Sequence, residues 1–190
     1  MNLKEATAKE IILITGPASS GKSEWAEKLA QQKKQPVIYV ATGRIDSNDE
    51  EWRLRIAKHA SRRPPEWETA LVPRELAAKI RSTSHSQCLL VDSLGTWLAN
   101  ILSQEEEVWQ ETKKDLLESL HQTPSNLILV GEETGWGIVP AYPLGRTFRD
   151  RLGNLIREIG AIANVVYLVT GGHALNLTTL GTPLGARELG

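Results

Sequence analysis

The sequence is poor in cysteine and has no long apolar run. Its one cysteine, Cys88, excludes a disulfide within the chain, and the apolar run Cys88–Val91 indicates a buried structural thiol rather than a reactive one. No apolar run approaches the ~18 residues that span a bilayer. Residues 1–10 lack the apolar core of a signal peptide. These absences predict a cytoplasmic protein without a transmembrane segment.

Neither sign of charge is in excess. The chain carries 22 basic and 23 acidic side chains, a net charge of -1, and therefore has no overall attraction for nucleic acid. Its 190 residues, 41% of them hydrophobic, are ordinary for one folded domain. We therefore predict a single domain over 1–190 without a nucleic-acid partner, in which 1–10 form a flexible N-terminal extension.

Short apolar segments alternate with longer segments of helical spacing. The apolar segments predict strands at Ile11–Thr15, Val37–Ala41, Cys88–Asp92, Leu127–Gly131 and Val165–Thr170. The intervening segments predict helices at Lys22–Gln32, Glu50–Ala60, Pro73–Arg81, Glu105–His121 and Leu144–Ala163. This order is typical of an α/β three-layer sandwich with a mainly parallel sheet. Residues 173–190 show no clear periodicity.

A glycine-rich loop joins the first strand to the first helix. It matches the pattern G-x-x-x-x-G-K-S/T with the residues Gly16, Pro17, Ala18, Ser19, Ser20, Gly21, Lys22 and Ser23. Backbone N–H groups and the helix N-terminus attract phosphates, Lys22 neutralises their charge, and the Ser23 hydroxyl is a ligand for Mg²⁺. The loop predicts a P-loop NTPase-type domain that binds a purine nucleoside triphosphate.

Acidic side chains end the third and fourth predicted strands, at the edge of the sheet where ligands collect. Asp92 stands where P-loop enzymes place a carboxylate near magnesium. Asp92 and Ser93 are alternatively suited to cap the next helix. Glu132 and Glu133 end the next strand, and one of them is a candidate base or a ligand for a substrate hydroxyl. Lone carboxylates in such loops are, however, more often solvated.

Cations surround one histidine in and after the predicted helix at 50–60. Arg55, His59, Arg62 and Arg63 share one face at helical spacing. Neighbouring cations disfavour the protonated imidazole, so His59 is expected to be neutral and nucleophilic. The same cations are suited to hold a triphosphate and to stabilise charge that develops at phosphorus. From spacing alone, a structural or solvated histidine is the more common alternative.

Two longer motifs follow the phosphate loop in a specific order. They are E-T-G-W-G-I-V-P at Glu133–Pro140 and G-R-T-F-R-D at Gly145–Asp150, and shorter matches lie at Tyr39–Thr42, Arg55–His59 and Asp92–Leu98. With the phosphate loop, they resemble the bifunctional adenosylcobinamide kinase and adenosylcobinamide-phosphate guanylyltransferase family of cobalamin biosynthesis. The resemblance runs from about residue 11 to residue 172.

The resemblance implies two reactions. In the first, the γ-phosphoryl group of ATP or GTP passes to the aminopropanol hydroxyl of adenosylcobinamide. In the second, a histidine attacks the α-phosphate of GTP, releases pyrophosphate and carries GMP to adenosylcobinamide-phosphate, which gives adenosylcobinamide-GDP. By position in the motif, this histidine is His59, with Lys22 as the second catalytic residue. The family also implies a homotrimer.

The resemblance also extends the predicted binding set. Beyond the phosphate loop, the residues expected at the nucleotide are Ala41, Thr42, Gly43, Arg55, Arg62, Arg63 and Asp92. Ser23 and Asp92 are assigned to Mg²⁺, and Glu133 to the acceptor substrate.

The chain departs from the family pattern at several positions. Leu71 stands where a nucleotide-contacting glutamate is usual, which leaves the guanine preference open, and Glu132 stands where asparagine is usual. Ile156 and Asn164 also replace more usual polar residues.

Two other functions are compatible with the phosphate loop and Asp92: a monofunctional P-loop kinase, which forms no covalent adduct, and a nucleotide-dependent switch or ATPase. The absence of an N-K-x-D motif disfavours an ordinary GTPase switch.

Overall fold

The computed structural model describes residues 9–44 and 63–184. The predicted helix at 50–60, with Arg55 and His59, lies outside the described residues, as do Arg62 and residues 1–8 of the predicted extension. Within the described ranges, no helix is both long enough and apolar enough to cross a bilayer.

Seven strands of the described chain form one sheet. They are β1 (Ile11–Gly16), β2 (Val37–Ala41), β3 (Glu68–Leu71), β4 (Cys88–Asp92), β5 (Asn126–Glu132), β6 (Val165–Thr170) and β7 (His173–Asn176). Their order is β3-β2-β4-β5-β1-β6-β7, and every neighbouring pair is parallel except β6 and β7. The predicted mainly parallel sheet is confirmed.

Four helices of the described ranges match predicted helices closely, and the helices at Leu94–Ile101 and Leu177–Leu180 are additional to the predicted set. The helices of these ranges are α1 (Lys22–Gln32), α2 (Leu76–Arg81), α3 (Leu94–Ile101), α4 (Glu106–Gln122), α5 (Pro143–Ile162) and α6 (Leu177–Leu180). Among the matched helices, the largest difference is at α2, which was predicted to begin at Pro73. The carbonyls of Pro73 and Arg74 instead accept hydrogen bonds from the Asn100 amide (3.0 Å) and the Trp97 indole (2.8 Å) of α3, which ties this segment to α3.

Alternate residues of the central strands enter two cores, one on each face of the sheet. On one face Ile14, Tyr39 and Leu90 pack with Ala26 and other residues of α1. On the other face the alternate strand residues pack against α2, α3, α4 and α5. The predicted three layers are confirmed. Cys88 belongs to the first core and is fully buried, as its apolar context indicated.

Two edge strands were not predicted. The β3 sequence, E-T-A-L, is short and mostly exposed, so it lacks the apolar run that marks the central strands. The strand β7 lies in the unassigned tail and is antiparallel, because Gly171 and Gly172 have φ of 57° and 76° and reverse the chain in two residues. The glycine pair is the sequence feature that would have predicted this hairpin.

Candidate nucleotide site

The phosphate loop lies at the carboxyl edge of the sheet, between β1 and α1. Gly21 has φ +93°, a left-handed conformation that strains any other residue. At Gly16 a Cβ would lie 2.3 Å from the carbonyl oxygen of Val169, so only glycine fits. Backbone geometry therefore requires both glycines of the motif.

Polar groups of this loop are sparsely paired. Lys22 is 8% exposed, and its Nζ donates to the Pro17 carbonyl at 3.0 Å. The Ser20 hydroxyl is buried and has no hydrogen-bond partner among the described residues. Buried polar groups are normally satisfied, so this pattern is expected where the groups serve a ligand.

Asp92 ends β4, and a phenol from the neighbouring strand holds its carboxylate. The Tyr39 hydroxyl donates to Asp92 Oδ2 at 2.8 Å. Burial, followed by the negative charge of Asp92, raises the pKa of Tyr39, so the phenol stays protonated and remains a donor. Among the described residues, Oδ1 of Asp92 accepts no hydrogen bond, which leaves it for a further ligand.

Arg63 lies on the face of the same phenol. Its guanidinium carbon is 3.3 Å from the Tyr39 ring centroid, and its Nη1 donates to the Thr69 hydroxyl at 3.4 Å. Its Nε is buried and has no partner within the described part of the chain. Arg63 is therefore close to Asp92, and it is the one member of the predicted cationic cluster that the structure describes.

Behind Asp92 lies a set of hydrogen-bonded residues that we call the Ser93 corner: Thr42, Ser93, Gly95, Thr96 and Glu132. The Ser93 hydroxyl caps α3 by accepting from the Thr96 N–H at 3.2 Å, and it donates to the Glu132 carboxylate. Thr42 Oγ1 accepts from the Ser93 N–H at 2.9 Å and donates to the Ser93 carbonyl at 2.8 Å. Ser93, rather than Asp92, is thus the helix cap.

Glu132 is anchored in this corner rather than solvated. Its Oε1 accepts from the Ser93 hydroxyl, and its Oε2 accepts from the Gly95 N–H at 2.9 Å. Desolvation raises its pKa, while the Ser93 hydrogen bond and the charge of Lys22 act in the opposite direction. Because both oxygens are engaged, Glu132 is poorly placed to serve as a base, and Glu133 is the better candidate of the pair.

Glu133 lies beside the start of the phosphate loop. Its N–H donates to the Gly16 carbonyl at 2.9 Å, and its Oε1 accepts from the Thr15 hydroxyl at 2.5 Å. Thr15 is only 4% exposed, so this hydrogen bond fixes the carboxylate from inside the fold. The sequence did not identify Thr15 as a site residue, because the hydroxyl lies within an apolar strand.

The other residues predicted to bind the nucleotide here are Ala41, at the end of β2, and Thr42 and Gly43, which follow the strand. Ala41 ends the strand and pairs with Asp92 across the sheet, and Gly43 follows it closely. The Thr42 hydroxyl is used within the Ser93 corner, and its carbonyl accepts from the Asn100 amide at 2.7 Å. The hydrogen bonds of Thr42 therefore stabilise the backbone at this edge of the site. Tyr39 was recognised only as part of a matched motif, and its contact with Asp92 was not predicted.

Oxygen donors at this edge fit magnesium. The described residues contain no group of three or more His, Cys, Asp or Glu side chains able to hold a metal. Mg²⁺ instead commonly takes one or two protein oxygens together with substrate phosphates. Asp92 Oδ1, which accepts no hydrogen bond from the described residues, and the Ser23 hydroxyl at the start of α1 supply that donor type.

Two solved structures share this fold at low identity. A Pyrococcus horikoshii OT3 protein aligns with TM-score 0.57 and 7% identity over 96% of this chain and 95% of that chain. An ATPase of the type III secretion system of pathogenic bacteria aligns with TM-score 0.53 and 11% identity over 92% of this chain and 59% of that chain. The likeness confirms the predicted α/β fold with a mainly parallel sheet.

Sequence comparison identifies the family. A family model described as cobinamide kinase / cobinamide phosphate guanyltransferase matches residues 12–177. The bifunctional adenosylcobalamin biosynthesis protein CobP of Pseudomonas aeruginosa is 40% identical over 174 residues, 90% of this chain and 98% of that protein. CobU of Salmonella typhimurium, which has the same description, is 33% identical over 182 residues, 88% of this chain and 99% of that protein. The chain belongs to the cobinamide kinase / cobinamide phosphate guanyltransferase family.

Proposed function

We propose that the protein phosphorylates adenosylcobinamide with ATP or GTP and then transfers GMP from GTP to the product, giving adenosylcobinamide-GDP. The observation that carries the proposal is the family match over residues 12–177, which contains the phosphate loop, Asp92 and Glu133. The near-complete coverage of a bifunctional relative favours two activities over the alternative of a single kinase activity. We further propose that one domain over 1–190 carries both.

In the kinase step, the phosphate loop and Lys22 hold the triphosphate. Ser23 and Asp92 hold Mg²⁺, which when bound neutralises phosphate charge. Glu133 accepts a hydrogen bond from the acceptor hydroxyl and directs its oxygen toward the γ-phosphorus. The hydrogen bond from Thr15 to Glu133, next to Gly16, supports this role.

In the guanylyl step, neutral His59 attacks the α-phosphorus of GTP. A nitrogen–phosphorus bond forms as the bond to pyrophosphate breaks, and a phosphate oxygen of adenosylcobinamide-phosphate then displaces the histidine. Arg55, Arg62 and Arg63 stabilise the charge that develops at phosphorus. The position of Arg63 near Asp92 supports this role for the cluster, while the other members are assigned from sequence.

A radiolabel distinguishes this function from its rivals. We expect GTP labelled at the α-phosphate, with Mg²⁺, to leave an acid-labile and base-stable label on the wild type and on the control His121→Ala, but not on His59→Ala. Equal labelling of His59→Ala, or no label on the wild type, would contradict the covalent step. Transfer of the γ-phosphate to adenosylcobinamide is assayed separately. Hydrolysis that only a protein partner stimulates would favour a switch ATPase.

Base selection is proposed to be weak because of Leu71. This residue ends the edge strand β3 and is 57% exposed, so a longer polar side chain is tolerated there. We expect Leu71→Glu to raise the affinity ratio of GTP to ATP about fivefold through a new hydrogen bond to guanine. Calorimetric titration with both nucleotides measures this ratio, with Leu71→Gln as the uncharged control. An unchanged affinity ratio of GTP to ATP would show that the nucleotide base does not contact position 71.

We also propose a cytoplasmic homotrimer. Ile138 is 97% exposed, and other large apolar side chains are exposed in the same segment after β5: Trp136, Val139, Tyr142 and Leu144. Exposed apolar groups of this size support a protein–protein contact. Light scattering after gel filtration tests the trimer, and a monomeric mass would contradict it. The cytoplasm is proposed because nucleoside triphosphates are the substrates.

A further inference from the structure

Asp92 is held by two kinds of contact. The Ser93 corner fixes the backbone that follows it, through the reciprocal hydrogen bonds between Thr42 and Ser93. The carboxylate itself has one hydrogen-bond partner among the described residues, the hydroxyl of Tyr39 at 2.8 Å. The orientation of the carboxylate therefore depends on this phenol.

The phenol is itself packed in the core. Tyr39 is 3% exposed in the middle of β2, and its neighbours across the sheet are Thr69 and Leu90. Its ring is packed in the core beside α1, so its hydroxyl presents a fixed donor at the sheet edge. A donor that holds one carboxylate oxygen leaves the other oxygen in a defined direction.

We propose that Tyr39 is a positioning residue, whose hydroxyl holds the Asp92 carboxylate in the orientation that metal-assisted nucleotide binding requires. The inference rests on the proposed assignment of Asp92 to Mg²⁺. Tyr39 acts through Asp92 and does not contact the reacting phosphates.

Two parts of Tyr39 have separable tasks. The hydroxyl contacts Asp92, whereas the ring face contacts Arg63 at 3.3 Å. Tyr39→Phe removes the first contact and keeps the second. Tyr39→Leu removes both. The phenylalanine variant therefore isolates the effect on the carboxylate.

The test measures nucleotide binding rather than turnover. The probe is a GTP analogue with a methylene bridge between the α- and β-phosphorus atoms, which blocks guanylyl transfer. Calorimetry gives its Kd with Mg²⁺ and with EDTA. We expect Tyr39→Phe to lose about tenfold in the affinity gain that Mg²⁺ provides, the lower end for residues that orient metal ligands. Its Kd in EDTA stays within about twofold, because the phosphate loop is unchanged. Electron paramagnetic resonance with Mn²⁺ and the same analogue provides a second readout.

Controls make each outcome decisive. Tyr167→Phe removes the hydroxyl of a tyrosine whose ring packs edge to face on Trp25 in the same core, and we expect wild-type behaviour from it. An unchanged magnesium gain in Tyr39→Phe, or an equal loss with and without metal, overturns the proposal. So does an Asp92→Asn variant that keeps the full gain. Product assays for the two transfer reactions then decide the proposed function independently.

Discussion

The phosphate loop, which follows β1, and the Ser93 corner, which lies at the ends of β2, β4 and β5, share one edge of the sheet, yet they use polar groups in opposite ways. In the loop, the Ser20 hydroxyl lacks a partner among the described residues, and the Lys22 ammonium contacts one backbone carbonyl. In the corner, the side chains of Thr42, Ser93 and Glu132 are all hydrogen-bonded within the fold. The loop therefore has polar groups that the fold does not use, which the proposed function assigns to the nucleotide, whereas the polar groups of the corner stabilise the fold itself. Substitutions in the loop should therefore impair binding, and substitutions in the corner should reduce stability.

Lys22→Ala should give the largest effect. Removing the buried ammonium takes away the charge that the triphosphate needs, and we expect both transfer rates to fall by about 10²–10³-fold or more. Thermal unfolding should change little, because Lys22 makes a single hydrogen bond within the described residues. Steady-state assays of both reactions measure the effect, with the exposed Lys28→Ala of the same helix as control. If one activity survives intact, the two reactions use separate nucleotide sites.

Gly95→Ala should give the largest loss of stability in the corner. A Cβ at this position would lie 2.2 Å from Glu132 Oε2, so the carboxylate must move. We expect a cost of about 1–3 kcal/mol in the free energy of unfolding, measured by urea denaturation. Gly95→Ala should cost less in a protein that also carries Glu132→Asn, because the shorter side chain leaves room for the added Cβ. Equal costs in both backgrounds would show that the clash is not with Glu132.

Ser93→Ala should destabilise the protein by a smaller amount. It removes the cap of α3 and the donor to Glu132, with an expected loss of about 1–2 kcal/mol by urea denaturation. The Kd for GTP should stay within about twofold. The exposed Ser86→Ala is the matched control. A large loss of GTP binding with unchanged stability would show that the corner serves nucleotide binding rather than the stability of the fold.

Glu132→Gln should change how stability depends on pH. Burial raises the pKa of Glu132 above its ordinary value of 4.5, so the native state holds this proton more tightly than the unfolded chain does. The contribution of Glu132 to stability therefore falls as the pH rises through and above that value. We expect the unfolding free energy of the variant to improve relative to wild type as the pH rises above 4.5. Parallel curves for the variant and the wild type would contradict the shift.

Local patterns were sufficient for the central sheet and for the phosphate loop. Strands β1, β2, β4, β5 and β6 are apolar runs, and the loop from Gly16 to Ser23 is contiguous in sequence. Edge strands such as β3 carry no such run, because their side chains are half exposed and their pairing partner decides their structure.

Long-range contacts explain what sequence reasoning missed at the site. Tyr39 lies 53 residues from its acceptor Asp92, and Ser93 lies 39 residues from Glu132. Only the parallel pairing of β2 with β4 and of β4 with β5 brings these groups together. A polar side chain in an apolar strand is the available signal, and it identifies Tyr39 and Thr15 as residues to examine without naming their partners.

Cys88 makes the protein convenient for spectroscopy. Burial raises the pKa of this thiol to about 12. Thiol reagents attack the thiolate, and at about pH 8 only about one Cys88 side chain in ten thousand is ionised in the folded state. A cysteine introduced at the exposed position Ser86 would therefore take a fluorophore selectively without removal of the native residue. In the unmodified chain, the labelling rate of Cys88 itself would report how often β4 is exposed to solvent.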